Sequence, residues 1–239
     1  AIIDTGIDIN HPDLKNNLWV NRGETGKDAK GRDKATNKID DDKNGFVDDV
    51  NGYNFVSNTS DLTDNHGHGT HVAGSISGNG SASLAVQPDP VRGLAFESNL
   101  VFQAIEQRLQ WTEAYRKAYY QQYKRYPPES GLAGLPVDLT TLFQQAYGAG
   151  ARVHNNSWGG GDFGAYDDYA AAVDRFMWEH KDFLILFAAG NDGSDGNRDG
   201  VVDEGSLTPP GTAKNCITVG AAESVRAQGG YQQAYGQLW

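Results

Sequence analysis

His66-Gly-His-Gly-Thr-His-Val-Ala-Gly74, read together with Ala1-Ile-Ile-Asp-Thr-Gly-Ile-Asp8, decides the fold class of this 239-residue chain. Ala1–Ile3 reads as a buried strand that ends at Asp4 and turns at Thr5-Gly6. After a glycine-rich approach, Thr70–Ser77 reads as the opening of a helix. An aspartate straight after a buried strand sits at the carboxyl edge of a sheet, where open α/β folds place their sites. A histidine at a helix entrance faces the same edge, and the positive helix end disfavours imidazolium, which keeps such a ring able to accept a proton. The residue types thus permit an Asp–His general-base pair. Spacing alone leaves the plainer reading open and gives it more weight: a core histidine near an unrelated turn aspartate.

Outward from these motifs, strands alternate with helical patterns. Leu100-Val-Phe102 is a short buried strand, and Asp138–Tyr147 is a helix capped by Asp138, with Leu139, Leu142, Phe143 and Ala146 on one face. Arg152–Ser157 follows as a strand, Tyr166–His180 as a helix, Phe183–Ala188 as a fully buried strand and Cys216–Val219 as the last strand. The alternation predicts an α/β fold with a mostly parallel sheet and helices on both faces. Gln103–Tyr126 stands apart. It places Trp111, Tyr115, Tyr119 and Tyr123 four residues apart on one helix stripe ended by Pro127-Pro128, and carries Arg108, Arg116, Lys117, Lys124 and Arg125. Two readings are open: a surface helix whose aromatic stripe packs on the body, or a substrate-rim or partner contact.

With 20 Lys+Arg against 31 Asp+Glu, the formal charge of −11 argues against a nucleic-acid backbone or an anionic membrane surface as partner. Cys216 is the one cysteine, so no internal disulfide forms, and its apolar strand reads as an inert core position. The apolar run Phe183–Ala189 is too short to span a bilayer. Position 1 is Ala, with no signal peptide present to read, and the polar stretch Gln232–Trp239 closes no helix; both ends read as cuts through a longer chain. In Leu186–Gly193, Asn191 follows a buried strand and a glycine. It is either an amide donor aimed at a developing oxyanion or an ordinary turn asparagine.

Two acidic loops share one pattern. Asp40, Asp42, Asn44 and Asp48 stand at loop positions 1, 3, 5 and 9, with Gly45 at 6 and the Phe46 carbonyl at 7. Asp195, Asn197, Asp199 and Asp203 repeat this, with Gly200 at 6 and the Val201 carbonyl at 7. Clustered carboxylates repel unless a hard cation neutralises them, and the spacing is that of calcium loops. Position 12 is Asn51 in one and Ser206 in the other, so a last ligand comes from Asp49 or Glu204, or from elsewhere. A solvated acidic turn is the alternative.

Taken in order, Ile2–Asp8 with His11-Pro-Asp-Leu14, His68–Gly74, Asn156-Ser-Trp-Gly159, Ala188-Ala-Gly-Asn191 and Pro210–Ala221 resemble the subtilisin-like serine proteases over nearly the whole chain. The resemblance implies a subtilisin-like three-layer sandwich, here incomplete, as one partial peptidase domain over 1–239 with an inserted helical segment at about 104–131. It implies Asp4 as the triad aspartate, His68 as the base, His71 as a structural histidine and Asn191 as the oxyanion donor. Ser157, Trp158 and Gly159 would pair with the substrate backbone. Ala188, Ala189 and Gly190 would wall the first specificity pocket, and Pro209–Pro210 would be cis. The family's Gly-Thr-Ser nucleophile motif does not occur, and Ser224 has no such context. The expectation is therefore an endopeptidase working through an acyl-enzyme, truncated before its serine and inactive as 1–239. It would act on polypeptides, bind Ca2+ but neither nucleic acid nor membrane, be a monomer when complete, and be secreted. Three rivals stand beside it: a calcium-dependent adhesion or docking module, a zinc hydrolase using His66, His68 and His71, and a pseudoprotease.

Overall fold

The computed structural model describes residues 1–193 and 195–222, so Ser224 and the stretch Gln232–Trp239 lie outside the described residues. The chain divides into two compact units, Ala1–Leu135 and Pro136–Trp239.

In the first unit, β1 (Ile2–Asp4), β2 (Gly52–Asn54), α1 (His68–Ser77) and β3 (Phe102–Ala104) are followed by β4 (Glu106–Arg108), α2 (Glu113–Tyr123) and β5 (Ser130–Leu132). β3 is the centre of a parallel ladder, pairing Ile2↔Phe102 on one side and Gly52↔Phe102 on the other. Every residue of the ladder but the half-buried Asn54 is buried, in keeping with a parallel sheet. Ile2, Ile7, Leu14, Leu18, Leu62, Ala73, Leu100, Phe102 and Ala104 form the core, and Val72 and Ile76 bring α1 onto it. The apolar sequence run becomes β1, and Asp4 is its last residue.

The segment read as one long helix differs. Phe102–Ala104 and Glu106–Arg108 are strands, β4 and β5 form an antiparallel hairpin, and only Glu113–Tyr123 is helical, capped by the Thr112 side chain. Nor does the aromatic stripe pack on the body, since α2 buries no residue. Instead the rings pack on one another, Trp111 stacked on Tyr115 at 4.7 Å and Tyr119 against Tyr123 at 4.6 Å. A spacing of four brings rings together along a helix whichever way the stripe faces.

The second unit holds α3 (Thr140–Gly148), β6 (Val153–Asn156), α4 (Asp168–Glu179), β7 (Leu184–Ala188) and β8 (Ile217–Val219). β7 pairs in parallel with β6 and β8. Leu139, Leu142, Phe143 and Ala146 are all buried. Asp138 sits one residue before the N-cap Leu139 and accepts from Thr140 N at 3.0 Å. β7 alternates rather than being buried throughout, with Ile185 and Phe187 inside. Cys216 precedes β8 and is only partly buried, and burial raises its thiol pKa. Among the described residues no helix is long and apolar enough to cross a membrane. The α/β class read from the sequence holds in both units.

His154 is fully buried beside Phe143, and Asn156 Nδ2 lies 3.1 Å from its Nδ1. Burial holds its pKa well below 6.5. The unfolded chain therefore takes a proton that the folded one refuses once the pH drops below 6.5. Stability from this group is complete above that pH and falls by up to about 1.4 kcal/mol per pH unit below it. Urea midpoints at pH 7.5 and 5.5 should show the loss, and His154→Gln should flatten it; an unchanged slope refutes the assignment.

Candidate active site

α1 delivers His68 to the end of β1 because Gly69 permits a close approach. A side chain at Gly69 would strike the Gly6 carbonyl and lie 3.1 Å from Asp4 Cβ. With the helix this near, His68 Nδ1 lies 2.6 Å from Asp4 Oδ1. Asp4 Oδ1 also accepts from Thr5 N at 2.8 Å. The side chain of Asp4 is 2 % exposed and that of His68 46 %. A buried carboxylate thus grips one ring nitrogen while the ring itself stays open to a reactant. This arrangement fixes the tautomer with the proton on Nδ1, leaves Nε2 basic, and stabilises the cation once formed.

A polar shell surrounds the pair. Asp64 accepts from Thr5 Oγ1, Gly67 N and Thr70 N, and Thr5 Oγ1 in turn accepts from Gly69 N at 2.9 Å. Asp64 escaped the sequence reading, although an aspartate just ahead of a helix entrance is a capping signal. A cavity of about 160 Å³ opens beside Thr5 and His66, with Glu106, Arg108 and Glu129 as its charged walls. The hairpin that supplies those charges was likewise invisible in the pattern of residues.

Asn191 is exposed near the start of the loop that follows β7. Around Thr208–Pro210 the other residues of the second unit gather. Gly159 faces the Pro209 carbonyl at 3.0 Å from where a Cβ would stand, and Gly160 N donates to the same oxygen at 2.9 Å. Gly190 leaves room for Thr208 Oγ1, which donates to the Ala189 carbonyl at 3.1 Å. Ala188 ends β7, Ser157 Oγ accepts from Asn155, and Trp158 packs edge-on to Phe187 at 5.4 Å. The Pro209–Pro210 bond is cis.

His71 is exposed on α1. Among the described residues His66, His68 and His71 do not converge as a metal set; the group that does is Glu24, Asp42 and Asp49, whose oxygens lie within 4.8 Å of one another. Glu24 and Asp49 are fully buried, and Glu24 Oε2 has no hydrogen-bond partner. Burial pushes the Asp49 carboxyl up to about 6 and raises that of Glu24. Asp48 is turned aside at φ 56°, its Oδ1 on Lys38 N. Glu24, far upstream of the loop, carried no sequence signal.

Both acidic loops fold alike. Asp40 accepts from Asn44 N and Gly45 N, as Asp195 does from Asp199 N and Gly200 N. Asn44 Oδ1 accepts from Phe46 N, as Asp199 Oδ1 does from Val201 N. Gly45 and Gly200, at φ 97° and 87°, make the sharp turn. Asn197 donates to Asp199, and Asp203 accepts from Gly196 N. Phe46 anchors the first loop against Tyr53 at 4.9 Å.

A model of the peptidase S8 subtilase family matches residues 1–236. The chain is similar to subtilisin-like protease 1 of Plasmodium berghei (strain Anka), at 50 % identity over 87 residues, 36 % of this chain. It is also similar to the serine protease/ABC transporter B family protein tagD of Dictyostelium discoideum, at 36 % identity over 163 residues, 66 % of this chain. These matches span 13 % and 7 % of the two proteins' lengths. Among solved structures, the prenylagaramide maturation protease PagA aligns with a TM-score of 0.46 at 19 % identity, covering 93 % of this chain and 52 % of that one.

Proposed function

The chain belongs to the subtilase family, matched over residues 1–236, and from that premise we propose that it supplies the general-base half of a serine endopeptidase acting on polypeptides. The observation that carries the proposal is the 2.6 Å contact between the buried Asp4 and the half-open His68. In the reaction, His68 Nε2 takes the proton of a serine hydroxyl as its oxygen attacks the scissile carbonyl. Asp4 holds the resulting imidazolium, which then passes the proton to the departing amine; water releases the acyl-enzyme by the same route. Asn191 donates to the tetrahedral oxyanion, a role worth roughly 3–4 kcal/mol. Ser157, Trp158 and Gly159 pair with the substrate backbone, and Ala188, Ala189 and Gly190 line the pocket for the side chain before the cleaved bond. The cavity beside His66 receives a further substrate side chain.

The nucleophile is assigned to a serine outside 1–239, because no serine here sits in the family's motif. A fluorophosphonate probe tests this: it should label the complete enzyme on a serine outside residues 1–239, and leave the isolated chain unlabelled. Labelling of any serine within 1–239 would refute the assignment. Calcium is proposed as the structural cofactor. Glu24, Asp42 and Asp49, with Asp40, Asn44 and the Phe46 carbonyl, would hold one ion, and Asp195, Asn197, Asp199, Asp203 and the Val201 carbonyl a second. The orphaned, buried Glu24 oxygen supports the first of these. Secretion fits a calcium-dependent fold and is part of the same proposal.

A further inference from the structure

Asp64 bonds to both sides of the Asp4–His68 contact. Its Oδ1 accepts from His66 N at 3.1 Å, Gly67 N at 2.8 Å and Thr5 Oγ1 at 2.9 Å; its Oδ2 accepts from Thr70 N at 2.9 Å and Thr70 Oγ1 at 2.6 Å. Thr5 is the residue after Asp4, and Gly69 the residue after His68. The Gly69 N to Thr5 Oγ1 bond, 2.9 Å long, is therefore a second strut parallel to the 2.6 Å bond of the pair.

The direction of each hydrogen in this network is forced. Thr5 has one hydroxyl hydrogen; it accepts from Gly69 N, so it must give that hydrogen to Asp64. Thr70 accepts from Asp8 N at 3.0 Å and gives its own hydrogen to Asp64. Only an acceptor with both oxygens free of hydrogen satisfies all these donors. Gly67, the N-cap of α1, has no side chain to satisfy the first-turn amides, and Asp64 with Thr5 takes that place.

We propose that Asp64 is a positioning residue of the protease: it locks Thr5 and the first turn of α1 to one carboxylate and so sets the approach of His68 to Asp4. The inference rests on reading Asp4 and His68 as the general-base pair. Burial alone would raise the Asp64 pKa, but the bonds from Thr70, Gly67 and Thr5 outweigh it and hold the carboxyl below its usual value. The group is therefore an anion wherever the enzyme works.

The test uses the complete enzyme with Asp64→Asn, Thr5→Val and their combination. An asparagine must point an NH2 at one of the two donor sets, and valine removes only the relaying hydroxyl. Each single variant should lower kcat on the order of 10²-fold, the scale for a catalytic group displaced by about an ångström, with KM held within a few-fold. Each should also weaken or shift the far-downfield proton resonance of His68 Nδ1–H. The double variant should lose little more than either single one, because both break the same strut. If Asp64→Asn fails to fold, Thr5→Val decides alone. Normal kcat with an unmoved resonance in a folded variant overturns the proposal. Asp4→Asn, run in parallel, separates the two failures: activity that survives Asp4→Asn refutes the base pair itself, whereas activity lost there but kept in Asp64→Asn and Thr5→Val refutes only the positioning role.

Discussion

Asp4→Asn in the complete enzyme should lower kcat by about 10⁴-fold while KM stays near its starting value, the scale for removing a triad carboxylate. The geometry says why so small a change is so costly. Asp4 Oδ1 receives both Thr5 N and the His68 ring, while Oδ2 is buried without a partner among the described residues. If the new amide oxygen takes the Oδ1 place, the ring keeps its bond but loses the charge that compensates the imidazolium, and a buried NH2 is left without an acceptor. If the NH2 takes that place, Nδ1 must accept, the proton moves to Nε2, and the ring can no longer act as a base. Both orientations disable the same step. Initial rates on a peptide substrate, with far-UV circular dichroism as a folding control, measure the effect. A folded Asp4→Asn enzyme within tenfold of the parent in kcat would remove Asp4 from the mechanism.

Chelating divalent cations should lower the melting temperature by roughly 5–10 °C for each site emptied. A ligand present at a hundred times its dissociation constant stabilises by about 2.7 kcal/mol, and about 1 kcal/mol is worth roughly 2–4 °C in a domain of this size. The first loop should dominate. Three carboxylates share a space of less than 4.8 Å there, and Glu24 and Asp49 are out of contact with water. Asn21 gives hydrogen bonds to Asp42 and Asp49 at 2.9 and 2.6 Å, and Asn44 helps, yet one oxygen of Glu24 stays unmatched. Neutral amides cannot cancel three negative charges, whereas one divalent cation nearly can. Thermal melts in EGTA, then with excess Ca2+ or Mg2+, test this, and Glu24→Gln should shrink the calcium response. A melting curve indifferent to EGTA and to added calcium rules the sites out.

What the sequence revealed and what it hid follow a physical line. Asp4 and His68 were singled out by the family resemblance; the pattern of residues by itself showed only an aspartate ending a strand and histidines at a helix entrance, and left the plainer reading ahead. The core face of α3 was legible from its periodic apolar residues. Asp64 and Glu24 were not, because their partners are made by the folded chain: Asp64 meets Thr5 and Glu24 meets Asp42 only once the backbone has closed. Counting along a calcium-loop template placed Asp48 at position 9 and left the last ligand to Asp49 or Glu204; the chain is left-handed at Asp48, and it is Asp49 that lies with Glu24 and Asp42. β4 was missed since Glu106-Gln-Arg108 has no strand-like composition. Its partner, Ser130–Leu132, lies beyond the whole of α2. The aromatic stripe was read correctly as helical, and of the two readings left open for it, packing on the body is the one that fails. Periodicity reports which residues share a face, not what that face meets.

That exposed helix has a thermodynamic meaning of its own. With no buried residue, α2 is held by the Thr112 cap, the Glu113–Lys117 pair, its ladder of rings and the contacts of Arg116 and Tyr120 with Tyr126. Such terms are worth tenths of a kilocalorie to about one each, so the free energy that opens α2 is far smaller than the one that opens the Phe102 core. The helix is its own cooperative unit, able to melt and re-form while β1 and α1 keep Asp4 against His68. Its amides should exchange with solvent water long before those of the parallel ladder do.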